Sequence, residues 1–143
     1  MDEEELTLFR DMTRRALEQE VAPHFEQWEA DHGVPRELWN TLGAAGLLCP
    51  DLPEEFGAAG TDPQVNFAIL EEMSRMGFGG VATGYSIHSN IVAPYINHFG
   101  SDQQKETWLP KMVSGEVLGA LAMSEPGAGS DVQGIRTNAV RDG

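Results

Sequence analysis

The chain has 143 residues, 41% of them hydrophobic, which suits one ordinary domain and is too short for two. Its formal charge of −14 argues against nucleic acid and against anionic membrane surfaces, because a polyanion is steered towards the opposite sign. Residues 1–60 carry 14 acids against 4 Lys/Arg and residues 61–143 carry 9 against 5, so an anionic ligand is expected nearer the second half.

Asp2, Glu3, Glu4 and Glu5 read as a solvated helix start, where carboxylates meet the positive end of the helix dipole. No apolar core segment or Arg-rich amphipathic stretch marks this end, and no apolar run reaches membrane-spanning length. Together with a lone cysteine, which permits no internal disulfide, this predicts a soluble cytoplasmic protein. Leu6, Phe9, Met12, Ala16 and Leu17, then Val21, Phe25 and Trp28, recur at helical spacing. Pro23 is expected to kink that stripe or restart the helix. A second helix opens at Pro35 and ends at Gly43 or Gly46. Cys49, in "GLLCPDLP", reads as a small buried thiol rather than a nucleophile.

The stretch "PDLPEEFGAAGTDP" is loop. Thr61 and Asp62 are both candidate N-caps, and Thr61 to Gln64 has the spacing of a capping box. The helix that follows is expected to group Phe67, Leu70, Met73 and Ser74. From Gly77 to Phe99 the apolar positions Ile87, Ile91, Val92, Tyr95, Ile96 and Phe99 keep a helical rhythm, with a bend at Pro94. Ser101 to Gln104 is another capping box, opening a helix with Trp108, Leu109 and Met112. The three tryptophans, Trp28, Trp39 and Trp108, read as helix-packing residues. His88 and His98 lie far apart without Cys or carboxylate at ligand spacing, so no metal site is expected.

At Gly115 the pattern changes. Val117 to Met123 is a continuous apolar run of strand length, and Ile135 to Val140 alternates well enough for a second strand. Asp142-Gly143 would make a hairpin turn, yet no returning strand follows. One or two strands do not make a stable sheet, so the chain is expected to stop inside a second domain of β character. Between the two runs lies "AMSEPGAGSDVQG". Glycines there let main-chain N–H groups approach a phosphate, with Ser124 and Ser130 as hydroxyl donors. A simple turn between strands fits the same residues. The loop has neither the Gly-Lys-Ser/Thr of a P-loop nor the dinucleotide glycine spacing. Asp131 is expected to serve its own loop.

"AMSEPGAGSDVQG" resembles the acyl-CoA dehydrogenase signature at every position. "FGSDQQKETWLPKMVSGE", "GYSIHSNIVAPYI" and "GLLCPDLPEEFGAAG" are similar to further stretches of that family, and "YSIHSNIVAPYI" leans towards its long-chain-type members. The resemblance covers almost the whole chain. It implies a mainly α fold: a helical N-terminal domain over 1–115, then the first strands of a truncated middle β-domain over 116–143. It also implies FAD. Leu121, Ala122, Met123 and Ser124 would line the flavin, Gly129 and Ser130 would contact its pyrophosphate, and Ser130 would also touch the CoA arm of the substrate. The acyl tail would run between helices, one of them from the Val81 to Tyr95 segment.

The implied reaction oxidises a fatty acyl-CoA to the trans-2-enoyl-CoA and hands electrons to an electron-transfer acceptor. A homo-oligomer, tetramer or dimer, is implied for the complete protein. No catalytic residue is assigned here, since the family's glutamate base comes from a later helical bundle. Glu125 falls on the signature's loop glutamate and is read as structural. The alternative is a non-catalytic helical interaction subunit that needs a second chain to complete its fold.

Overall fold

The computed structural model describes residues 3–142; Asp2 and Gly143 lie outside them. Helix α1 (Glu3–Glu20) opens on Glu3, Glu4 and Glu5, carboxylates placed where exposed amide N–H groups attract them. Pro23 falls in the turn before α2 (Phe25–Ala30), so the stripe restarts rather than kinks. Leu17 and Val21 are buried and Phe9 and Ala16 pack against them, but Met12 faces water and Thr13 takes the inward place. Helix α3 (Arg36–Ala44) follows Pro35, and Gly46 beyond its end has φ +70°. The Glu54–Phe56 stretch of the next loop makes one tight 3₁₀ turn.

Helix α4 (Gln64–Arg75) is started by Asp62, whose Oδ1 accepts the Gln64 N–H at 2.9 Å; the Thr61 hydroxyl is buried without a partner, so the expected box does not form. The predicted face is also displaced. Phe67 is 60% exposed, Ser74 is exposed and Leu70 is half-buried, while Val65, Asn66, Ala68, Ile69, Glu72 and Met73 point inward. Two polar side chains on the inner face explain the error. Asn66 Oδ1 accepts from the Tyr85 hydroxyl at 2.7 Å, and Glu72 takes Arg10 and Arg14 of α1. A hydrophobicity pattern counts such residues as outward, but a buried polar group is stable once its partners are inside with it.

One long helical rod runs from Gly79 to Phe99 in three parts: α5 (Gly79–Tyr85), a π-helical segment (Ser86–Val92) and α6 (Ala93–Phe99). Pro94 has no N–H to return to the carbonyl four residues back, and just before it the ladder widens, Ala93 donating to His88 five residues back. The rhythmic apolar residues only partly face inward: Phe99 is 81% exposed and Tyr95 is exposed beside it. Helix α7 (Asp102–Val113) carries the predicted capping box, with Ser101 N–H to Gln104 Oε1 at 2.8 Å and Gln104 N–H to Ser101 Oγ at 3.3 Å. Leu109 and Met112 are buried, whereas Trp108 keeps 44% of its surface exposed.

Among the described residues, buried apolar side chains gather in two clusters. The larger unites Leu17, Leu42, Ile69, Met73, Val81 and Tyr85 across α1, α3, α4 and α5. The smaller joins Cys49, Leu52 and Phe56 to Ala93 of α6 and Leu109 and Met112 of α7. The π segment adjoins both, with Ser89 Oγ accepting the Cys49 N–H at 3.2 Å. Cys49 is buried as expected, and burial pushes its thiol up to about 12.

Beyond α7 the chain makes a tight turn against α3. Arg36 donates to the carbonyls of Gly115 and Glu116. Gly115 has φ +75°, and a Cβ there would overlap the Trp39 carbonyl. The expected strands are not formed among the described residues. Val117, Leu118 and Gly119 are half-buried, residues 120–124 are exposed, and β pairing among the described residues is limited to an isolated bridge between Glu125 and Ala128. A strand is stabilised by its neighbour, and among the described residues none lies alongside either run.

Candidate functional site

The segment that leaves the helical body is held at its root by two bonds. Val117 N–H donates to the Lys111 carbonyl and Gly119 N–H donates to His88 Nδ1, both at 3.0 Å. From Ala120 to Ser124 no main-chain hydrogen bond occurs among the described residues. Leu121 and Met123 expose large apolar side chains here, and Ser124 is exposed next to them. The run therefore offers free main-chain amides beside apolar surface.

At Glu125 the loop closes on itself. Glu125 N–H donates to the Ala128 carbonyl at 2.8 Å and Ala128 N–H returns to Glu125 at 3.1 Å. Ser124 and Gly129 consequently flank the open end of one tight turn, with Ser130 following. Around Gly127 and Gly129 the space where a Cβ would stand is empty, so the backbone there is open to close approach. The sequence-derived set Leu121, Ala122, Met123, Ser124, Gly129 and Ser130 thus lies on two short arms of one exposed loop.

The Glu125 side chain anchors that loop to the stretch after it. Its Oε2 accepts the Arg136 N–H at 2.9 Å and its Oε1 accepts the Thr137 N–H at 2.7 Å. Those two amides hold its carboxyl below the usual carboxylate range. A carboxylate with both oxygens so engaged suits a structural part and not proton transfer. Asp131 contributes its main-chain carbonyl, accepting from Gly134 at 3.0 Å as the chain passes through a 3₁₀ turn (Val132–Gly134).

Two neighbouring features belong to the same end of the molecule. An apolar cavity of about 440 Å³ lies between α6 and α7 against the loop root, lined by Tyr95, Ile96, Phe99, Trp108, Leu118 and Gly119. The π segment carries Ser86, Ile87, Asn90 and Ile91 half-buried on the side opposite its core residues.

Comparison with known proteins decides the kinship. Residues 3–116 match the family described as Acyl-CoA dehydrogenase, N-terminal domain. The chain belongs to the acyl-CoA dehydrogenase family. Over 136 residues it is 43% identical to the mitochondrial long-chain specific acyl-CoA dehydrogenase of Sus scrofa, aligning 95% of this chain with 31% of that protein. All of the chain superposes on an acyl-CoA dehydrogenase from Geobacillus kaustophilus with a TM-score of 0.91 and 42% identity, covering 37% of it. An acyl-CoA dehydrogenase from Bacillus anthracis, solved in complex with FAD, aligns with 95% of the chain at a TM-score of 0.82 and 35% identity, covering 23% of that chain. Acyl-CoA dehydrogenase kinship thus rests on a segment spanning about a third of its first relatives' length.

Sequence reasoning missed one residue of this region. Ligand spacing tests His88 only for metal binding, whereas the residue is buried and grips the loop root. Its spacing from Val81, Tyr85 and Ser89, all inward-facing, was the available signal, since a polar residue in register with a core stripe has partners inside. Among the described residues no helix is long and apolar enough to cross a membrane.

Proposed function

We propose that this chain is the N-terminal part of an FAD-dependent acyl-CoA dehydrogenase that oxidises a fatty acyl-CoA to the trans-2-enoyl-CoA, with residues 116–143 opening its middle β-domain. The observation that carries this reading is the exposed loop from Leu121 to Ser130, with unpaired main-chain amides on one arm and open glycine backbone on the other. Those features fit a flavin nucleotide, which needs an apolar edge for its ring and backbone N–H groups for its phosphates. FAD, when bound, supplies the hydride acceptor that none of the twenty side chains provides.

The chain's own residues then have separate tasks. Leu121, Ala122 and Met123 lay main chain and apolar side chains along the ring edge. The Ser124 hydroxyl donates where negative charge gathers on reduction, and a preorganised donor of this kind favours the reduced state. Gly129 and Ser130 bring N–H groups to the pyrophosphate, and the Ser130 hydroxyl also reaches the CoA arm. The acyl tail runs along the rod between Val81 and Tyr95, where Ile87 and Ile91 supply half-buried apolar surface. The glutamate that removes the α-proton belongs to the rest of the polypeptide, as do the contacts that build a homo-oligomer and receive an electron-transfer acceptor.

The test is Ser124→Ala in the polypeptide that carries this chain together with the β-domain and helical bundle. Losing one such donor costs about 3 kcal/mol at the transition state, so acyl-CoA-driven flavin bleaching should slow by about a hundredfold. An unchanged rate removes Ser124 from the flavin. The 143-residue chain alone should show no acyl-CoA-dependent reduction of an electron acceptor.

A further inference from the structure

His88 lies on the π segment with 1% of its surface exposed. Its ring meets two main-chain groups from different parts of the chain: Nδ1 is 3.0 Å from the Gly119 nitrogen and Nε2 is 3.0 Å from the Met112 oxygen. Chemistry assigns the proton. An amide N–H can only donate, so Nδ1 must be bare; a carbonyl oxygen can only accept, so Nε2 must carry the hydrogen. One neutral tautomer satisfies both contacts. The imidazolium does not, because a proton on Nδ1 would face the Gly119 N–H.

We propose that His88 is a positioning residue: as the Nε2–H tautomer it ties the end of α7 to Gly119 and so sets where the chain leaves the helical body towards Leu121–Ser130. The purpose of that loop rests on the flavin reading above; the clamp itself does not. Gly119 is the last residue with a main-chain hydrogen bond before the free run to Ser124. It is also pressed close to its neighbours, since a Cβ there would stand 2.7 Å from Val92 of the π segment and 3.0 Å from Met112. The direction of the exposed arm is therefore decided at this joint, and a histidine is one of few side chains with a donor and an acceptor on opposite sides of a rigid ring.

The surroundings favour the neutral ring. Burial holds the His88 pKa below its ordinary 6.5, the Arg36 guanidinium adds to this, and the Met112 carbonyl opposes it. Arg36 comes from α3, where the Trp39 ring also lies 6.5 Å from His88. On α7 and the turn after it the exposed Lys111 and Glu116 pair with each other at 3.6 Å. Asp51 follows Cys49 on the loop that packs against the adjacent Ser89.

Nitrogen-15 NMR on the 143-residue chain tests the clamp without any flavin. At pH 7.5 the imidazole shifts should report the Nε2–H tautomer. His88→Leu should speed exchange of the Gly119 amide about tenfold and shift the amide resonances of Leu121–Ser130, leaving those of Leu17 and Val81 in place. His88→Gln, which keeps one donor and one acceptor, should bring the Gly119 exchange back to within about threefold of the parent. An Nδ1–H tautomer in the parent overturns the proposal, with no variant needed. So does a folded His88→Leu chain whose Gly119 exchange and loop resonances are unchanged. Because no cofactor takes part, either outcome is independent of the Ser124 test: a failed Ser124 result leaves the clamp standing, and a failed clamp leaves the flavin reading standing.

Discussion

Replacing Glu72 with glutamine tests how α1 is fastened to α4. The Glu72 carboxylate is 1% exposed and sits between two guanidinium groups, with Arg10 Nη1 at 3.3 Å from Oε1 and Arg14 Nη2 at 3.0 Å from Oε2. A second bond runs from Arg14 Nε to Oε2 at 3.1 Å. Removing one partner of a fully buried ion pair costs about 3–5 kcal/mol, chiefly because the other charge is stranded away from water. Here the arginine side chains keep 26% and 42% of their surface, so water recovers part of that loss, and a solvent-exposed pair is worth only about 0.2–1 kcal/mol. The expectation falls between these limits, at about 2 kcal/mol for Glu72→Gln and about 1 kcal/mol for Arg14→Gln. In a chain of this length about 2 kcal/mol lowers the melting temperature by roughly 6 °C. Urea unfolding followed by far-ultraviolet circular dichroism measures it, and the double variant should lose less than the sum of the two singles because they share one contact. A Glu72→Gln midpoint within about 0.5 kcal/mol of the parent would refute the reasoning and make the pair decorative.

The other expectations concern backbone, thiol and loop. Gly115→Ala combines a positive φ with overlap on the Trp39 carbonyl and should cost about 3 kcal/mol or more in urea, whereas Gly127→Ala, in open space, should stay within about 0.5 kcal/mol. Cys49, with its thiol at about 12 against 9.0 for a free thiol, should hold roughly a thousandfold less thiolate at pH 8 and resist a disulfide-exchange reagent until urea is added. The same shift makes the unfolded chain the readier acid, so its stabilisation is complete below pH 9 and fades by about 1.4 kcal/mol per pH unit up to about 12; Cys49→Ala should flatten that alkaline decline in urea midpoints. Glu125, whose carboxyl is held low by the Arg136 and Thr137 amides, should release both only below pH 4.5, which amide shifts in an acid titration will report; Glu125→Gln should displace those two resonances at neutral pH.

How far the fold could be read from residues alone depends on the range of the forces involved. Pro35 before α3, Gly46 after it, and the Ser101–Gln104 box at α7 act through atoms within a turn of one another, and each stands where the pattern put it. The loop signature is equally local: the turn at Glu125–Ala128 and the empty space at Gly127 and Gly129 follow from the residues there. Side-chain facing is another matter. Met12 and Phe67 turned out to water while Asn66, Glu72 and His88 turned in, because Tyr85 reaches Asn66 from 19 residues away, Arg10 and Arg14 reach Glu72 from 62 and 58, and Met112 and Gly119 reach His88 from 24 and 31; Thr13 is also buried, with no partner for its hydroxyl. The run from Val117 to Met123 has strand composition and no strand pairing, since a ladder requires a second chain segment beside it. Capping, proline and glycine chemistry is complete within a few residues, so the local sequence narrows it to a few choices; at α4 it offered Thr61 and Asp62, and Asp62 takes the Gln64 N–H. The partners of Asn66, Glu72 and His88 come within about 3 Å only in the packed fold, and that is why these inward faces and the grip of His88 belong to the three-dimensional structure.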